Sequence, residues 1–161
     1  MPGRSQRGFS LVETVLALGL LAGVLIVISG LFVIGAKQVR SGRASSEALA
    51  VATEIHEEMY GWGYSQLWKT FGFDGQSTSY ALDTRACGAC SGWQSTLAAK
   101  LGPSAYANIG VISVANAIGV VKNFADAFGN VQAKTVRVSV TVHWTETSGR
   151  QRAVTVGTTR N

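Results

Sequence analysis

Apolar residues run without a single charge from Thr14 to Ala36, 23 residues in all. Wound as a helix at ~1.5 Å per residue, this run spans about 35 Å, enough for a bilayer hydrocarbon core of about 30 Å. The pattern then changes. Ala48, Ala52, Ile55 and Met59 recur at helical spacing, while Glu47, Glu54, Glu57 and Glu58 fall largely elsewhere on the wheel. The simplest reading is one helix from about Ser10 to Tyr60, with a lipid-compatible first half and an amphipathic second half. Gly61 and Gly63 supply its stop.

Residues 61–104 are rich in Gly, Ser, Thr and aromatics and predict an irregular region. Residues 109–114 and 118–121 have strand character, and Gly129-Asn130 marks a turn. The clearest strand follows: Val136, Val138, Val140, Val142 and Trp144 alternate with Arg137, Ser139, Thr141 and His143. Thr147-Ser148-Gly149 then turns the chain into a second strand, Gln151 to Thr159, completing an antiparallel hairpin with one buried face. That face needs a partner, and the stripe of residues 48, 52, 55 and 59 offers one. The expected architecture is α+β, a long N-terminal helix packed on a small C-terminal antiparallel sheet.

Composition narrows the function classes. With 47% hydrophobic and 14% charged residues the chain is too apolar for disorder. Its 161 residues suit one compact domain plus appendages. The net charge of +5 comes without an aromatic-interleaved Lys/Arg stripe, so it reads as a solvated surface rather than a nucleic-acid face. No HExxH, phosphate loop or calcium-loop pattern appears, and neither His56 nor His143 accompanies a Ser or Cys nucleophile in a recognisable pattern. The sequence therefore predicts no catalytic residues, no metal and no cofactor.

The N-terminus carries the functional signal. Arg4 and Arg7 precede the apolar run, but no Ala-x-Ala cleavage site follows it; Lys37, Val39 and Arg40 do. This differs from an ordinary secretory signal, whose apolar stretch is shorter and is removed. Glu13 stands near the start of the run. An ionisable group at membrane depth costs about 2.5–3.5 kcal/mol on insertion scales and normally has a partner and a role. Cleavage between Gly8 and Phe9 would free an α-amino group four residues from Glu13, and an ammonium on one copy could meet the carboxylate of its neighbour.

The segment Gly8-Phe9-Ser10-Leu11-Val12-Glu13-Thr14-Val15-Leu16-Ala17-Leu18 resembles the class III signal of type IV pilins and type II secretion pseudopilins. More weakly, residues 48–59 and the C-terminal strands resemble minor pilins of the PilV type. The resemblance implies removal of the leader, residues 1–8, by a prepilin peptidase and N-methylation of Phe9. Glu13 would set register during assembly. It further implies a transmembrane and filament-core helix over residues 9–36 and a periplasmic pilin-like head over 37–161. In that head the helix runs to about 60, the loop region spans 61–104 and the sheet lies within 105–161.

The implied partners are other pilins, the prepilin peptidase and an inner-membrane assembly platform. The implied location is first the bacterial inner membrane and then the filament. Charge alone leaves orientation open, because Lys37, Arg40 and Arg43 flank the other end of the run. The resemblance places the leader in the cytoplasm. Three roles follow: a minor pilin that primes or caps a pilus, a minor pseudopilin of a type II secretion machine, or a pilus-tip subunit that binds DNA or a surface. The last predicts a clustered basic or aromatic patch on the head, for which Lys100, Lys122, Lys134 and Arg137 are candidates. One departure from major pilins is the absence of a proline within the apolar run, where Ser29-Gly30 and Gly35 stand instead.

Cys87-Gly-Ala-Cys90 predicts a local disulfide in an oxidising compartment; free thiols, a metal site and a redox pair are the alternatives. The flanks read as loop, whereas a redox pair is expected between a strand and a helix. Trp62, Tyr64 and Trp68 read as residues seating a loop on the core, with a binding surface as the alternative. Asp74 and Asp83 are lone carboxylates and weak grounds for calcium.

Overall fold

The computed structural model describes residues 10–115 and 118–161. Arg4, Arg7, Gly8 and Phe9 therefore lie outside the described residues. The chain divides into two units, one up to Gly42 and the other Arg43–Asn161.

Helix α1 spans Leu11–Gly61, close to the bounds read from the apolar and amphipathic patterns. In the first unit its apolar side chains face outward. Exposure is 55% for Leu25, 68% for Leu20 and 74% for Phe32. This part of α1 is long and apolar enough to cross a membrane, and none of its most apolar window is buried.

In the second unit α1 buries Ala48, Val51, Ala52, Ile55 and Met59 against an antiparallel sheet. The sheet has four strands in the order β1-β2-β3-β4: β1 Ser79–Asp83, β2 Tyr106–Ser113, β3 Val136–Thr145 and β4 Gln151–Arg160. Alternation sets the inner face. Ala107, Ile109 and Val111 of β2 and Val136, Val138, Val140 and Val142 of β3 join the helix stripe in one core. Each large aliphatic side chain buried there contributes roughly 1.5–3 kcal/mol relative to exposure. The β3–β4 hairpin keeps a simple register from Val136↔Arg160 to Thr145↔Gln151. Its turn is closed by Gly149 N–H donating to Glu146 O at 2.8 Å, with Gly149 at φ 81°.

The expected α+β arrangement of a long helix on a small antiparallel sheet is thus the one observed. Two local expectations are corrected. The segment 61–104 is not irregular throughout: it holds α2 (Gln66–Lys69), β1, a single 3₁₀ turn and α3 (Ser91–Leu101). The short β1 is flanked by Ser and Thr, and α3 buries only Leu97 fully, so neither had a periodic stripe to reveal it. Residues 118–121 are not a strand. Both hydrogen-bonding edges of β2 are already taken by β1 and β3. Gly119, at φ 78°, also turns the backbone away from an extended path.

The end of α1 is closed from a distance. No basic residue lies in its last turn. Arg160, at the end of β4, donates through Nη1 to Tyr60 O at 2.9 Å and to Trp62 O. Its guanidinium also lies over the rings of Tyr60 and Tyr64, at 5.4 and 5.0 Å. A cation at a helix C-terminus satisfies carbonyls that lack intrahelical partners, so this contact joins the edge strand to the helix.

Candidate functional site

The first candidate is the beginning of α1. The helix starts where Thr14 donates its N–H to Ser10 O at 3.2 Å and its hydroxyl to the same carbonyl at 3.3 Å. Glu13 sits in the first turn with its side chain exposed. A carboxylate there gains about 0.3–1 kcal/mol from the positive end of the helix dipole, which partly offsets the cost of carrying it into an apolar medium. The glycine pair Gly19 and Gly23 would offer a side-chain atom nothing within 4 Å, so this stretch of helix surface is open to close approach. Ser29 returns its hydroxyl to Leu25 O at 2.8 Å, satisfying it within the helix.

In the head, Cys87 and Cys90 form a disulfide with their Cα atoms 5.2 Å apart. Their surroundings differ from the loop-like flanks read from sequence. β1 ends at Asp83, and Cys90 is the N-cap of α3, so the pair lies between a strand and a helix. Cys90 is fully buried and Cys87 half-buried.

The aromatic residues after α1 seat the connecting segment on the core. Trp68 is buried against Phe124, ring centroids 5.4 Å apart. Trp62 stacks on Trp93 at 6.0 Å, and Trp93 donates its indole N–H to Glu58 at 2.7 Å. Tyr64 donates its hydroxyl to Lys134 O at 3.1 Å. His56 is half-buried and stacks on Tyr60, ring centroids 6.4 Å apart.

His143 lies on the face of β3 opposite the valines. It stacks on Tyr106 at 4.8 Å, and the guanidinium of Arg85 covers the Tyr106 ring at 3.7 Å. Pairing of Tyr106 with His143 across β2 and β3 creates this stack. It was missed because β2 was read from Ile109 onward.

Three carboxylates are held in their charged form. Hydrogen bonds from Arg85, outweighing partial desolvation, hold Asp83 below the ordinary carboxylate range. Asp74 is lowered by the Gln76 N–H and the Tyr80 hydroxyl, each 2.9 Å away. Asp126 is lowered chiefly by the Asn130 side chain and backbone N–H, with Phe128 N–H and Gln132 adding to it. Asp74 and Asp83 are therefore engaged with separate partners. Among the described residues no group of three or more His, Cys, Asp or Glu is placed to hold a metal ion.

Of the four basic candidates, one is engaged in an ion pair and two line the same cavity. Lys100 pairs with Glu54 at 3.7 Å. Arg137 alternates outward from β3, pairing across to Ile112 and Thr159. Lys122 and Lys134 line one cavity, together with Ser113.

No family model matches the chain, and no curated protein or solved structure matches it.

Proposed function

We propose that the chain is a type IV pilin-like subunit, a minor pilin that primes or caps assembly of an envelope filament. Its N-terminal helix would act first as an inner-membrane anchor and then as part of the filament core. One observation supports this most: the apolar half of α1 exposes its side chains on every face and carries a lone acid, Glu13, in its first turn. Each large aliphatic group left in water forgoes roughly 1.5–3 kcal/mol, so the helix demands lipid or other helices around it. Both environments make Glu13 costly unless it meets a cation. The amino group of a neighbouring subunit, freed by cleavage after Gly8, supplies that cation and fixes axial register between apolar helices. The head would contact sister subunits without chemistry of its own.

The test is Glu13→Ala in the native cell. The variant is expected to be processed normally and to remain in the membrane. Its amount in sheared filaments should fall at least tenfold. Incorporation equal to wild type would remove the role assigned to Glu13.

A further inference from the structure

We propose that Cys87–Cys90 is a site of reversible thiol–disulfide exchange with an external dithiol protein, which opens and recloses the start of α3. This goes beyond the filament reading and stands or falls independently of it.

The placement of the pair carries the proposal. Cys87 is the N-cap of the 3₁₀ turn Gly88–Cys90 and has an extended backbone; Cys90 is in turn the N-cap of α3. Cys90 N–H donates to Cys87 O at 3.1 Å, so the turn leads directly into the helix. Both cysteines thus stand where a helix begins, and neither cap position makes a side-chain hydrogen bond. A helix N-terminus favours negative charge, and a thiolate there is a better leaving group and forms more readily. The two cysteines differ in burial. Cys90 is fully buried, whereas Cys87 is half-buried beside exposed Gly88 and Ala89, which carry at most a methyl group. One accessible and one buried cysteine at a helix start is the arrangement that exchange requires: one sulfur to be attacked, the other to depart and return.

The step balances as follows. A thiolate of the external dithiol attacks Cys87 Sγ. The mixed disulfide forms as the Cys87–Cys90 bond breaks, and Cys90 leaves as a thiolate that takes a proton from solvent. The second thiol of the partner, deprotonated, attacks its own sulfur in the mixed disulfide and releases Cys87. Two electrons pass, leaving Cys87 and Cys90 as thiols and the partner as a disulfide. The reverse sequence with an oxidised partner restores the bond.

Opening the bond acts on α3 rather than on the core. The core formed by α1 and the sheet is built without either cysteine. The first turns of α3 carry Trp93, which donates to Glu58 of α1 at 2.7 Å, and Gln94. Gln94 accepts from the Thr84 hydroxyl at 2.7 Å and donates to Ala105 O at 2.9 Å. Reduction therefore loosens the contact of α3 with α1 and leaves the sheet in place.

The experiment uses the full chain in non-ionic detergent. Dithiothreitol without denaturant is expected to reduce the disulfide completely, as read by alkylation and mass spectrometry. Tryptophan fluorescence should change while the far-ultraviolet circular dichroism of the sheet persists, and oxidised glutathione should reverse both changes. In Cys90→Ser, Cys87 should form a mixed disulfide with glutathione. Iodoacetamide should alkylate it at neutral pH at least threefold faster in the folded chain than in urea; a merely structural cysteine reacts more slowly when folded. In Cys87→Ser, Cys90 should react at least tenfold more slowly folded than in urea. A disulfide that resists dithiothreitol until urea is added, or a Cys87 thiol that reacts more slowly in the folded chain, overturns the proposal.

Discussion

At Gly75 the backbone takes φ 80°, and an added Cβ would lie 2.8 Å from the Ala125 Cβ and 2.9 Å from the Trp68 indole nitrogen. Two penalties coincide there, a left-handed conformation and a clash with a buried ring. Gly75→Ala is therefore expected to destabilise the head by about 2–4 kcal/mol, read as a shift in the urea midpoint. A change below about 0.5 kcal/mol would show that the ring and loop give way freely. Nothing in the sequence singled out this glycine, because its constraint comes from Trp68 and from Ala125, fifty residues away. Glu13 was the opposite case. A charge in an apolar run is legible from one line of sequence, since its cost depends on the medium more than on tertiary neighbours. Arg160 was illegible for the same reason as Gly75: its carbonyl partners, Tyr60 and Trp62, lie about a hundred residues earlier in the chain.

Among elements, legibility followed periodicity. β3 alternates strictly and is found at the expected positions; α1 shows first a continuous and then a striped apolar pattern, and its ends fall within a residue of those expected. By contrast, α3 rests on a single fully buried leucine and starts at a cystine rather than at a Ser, Thr or Asp side-chain cap. Its start is fixed by Cys87–Cys90, so the disulfide should matter locally. The closed loop is small, and the chain-entropy model gives about 2 kcal/mol for it. The paired variant Cys87→Ala/Cys90→Ala is expected to lower head stability by about that amount. Amide exchange should accelerate across residues 84–101 and change little in β3. Uniform acceleration through β3 would mean instead that the disulfide supports the whole core.

For the whole molecule, the head and the apolar part of α1 respond to different variables. The head depends on pH through Asp74, Asp83 and Asp126, all lowered by hydrogen bonds in the folded state. A carboxyl group whose folded value is depressed stabilises fully above its unfolded value, near 3.9, and loses that contribution as pH falls through the folded value. Head stability should thus be flat on this account from neutrality down to about pH 5. It should decline steadily below about pH 4, as followed by circular dichroism during acid titration. Stability that rose on acidification through that window would contradict the carboxylate contacts. The apolar part of α1 is exposed along its length and long enough to cross a membrane, and on the proposed function it would respond to lipid and to neighbouring helices. Whether it serves a filament depends on what happens ahead of it, between Gly8 and Phe9. Mass spectrometry of the protein recovered from the cell envelope tests this most directly. The account predicts a chain that begins at Phe9 with a methylated α-amino group; a functional chain in the filament that still carries Met1 and the leader would contradict it.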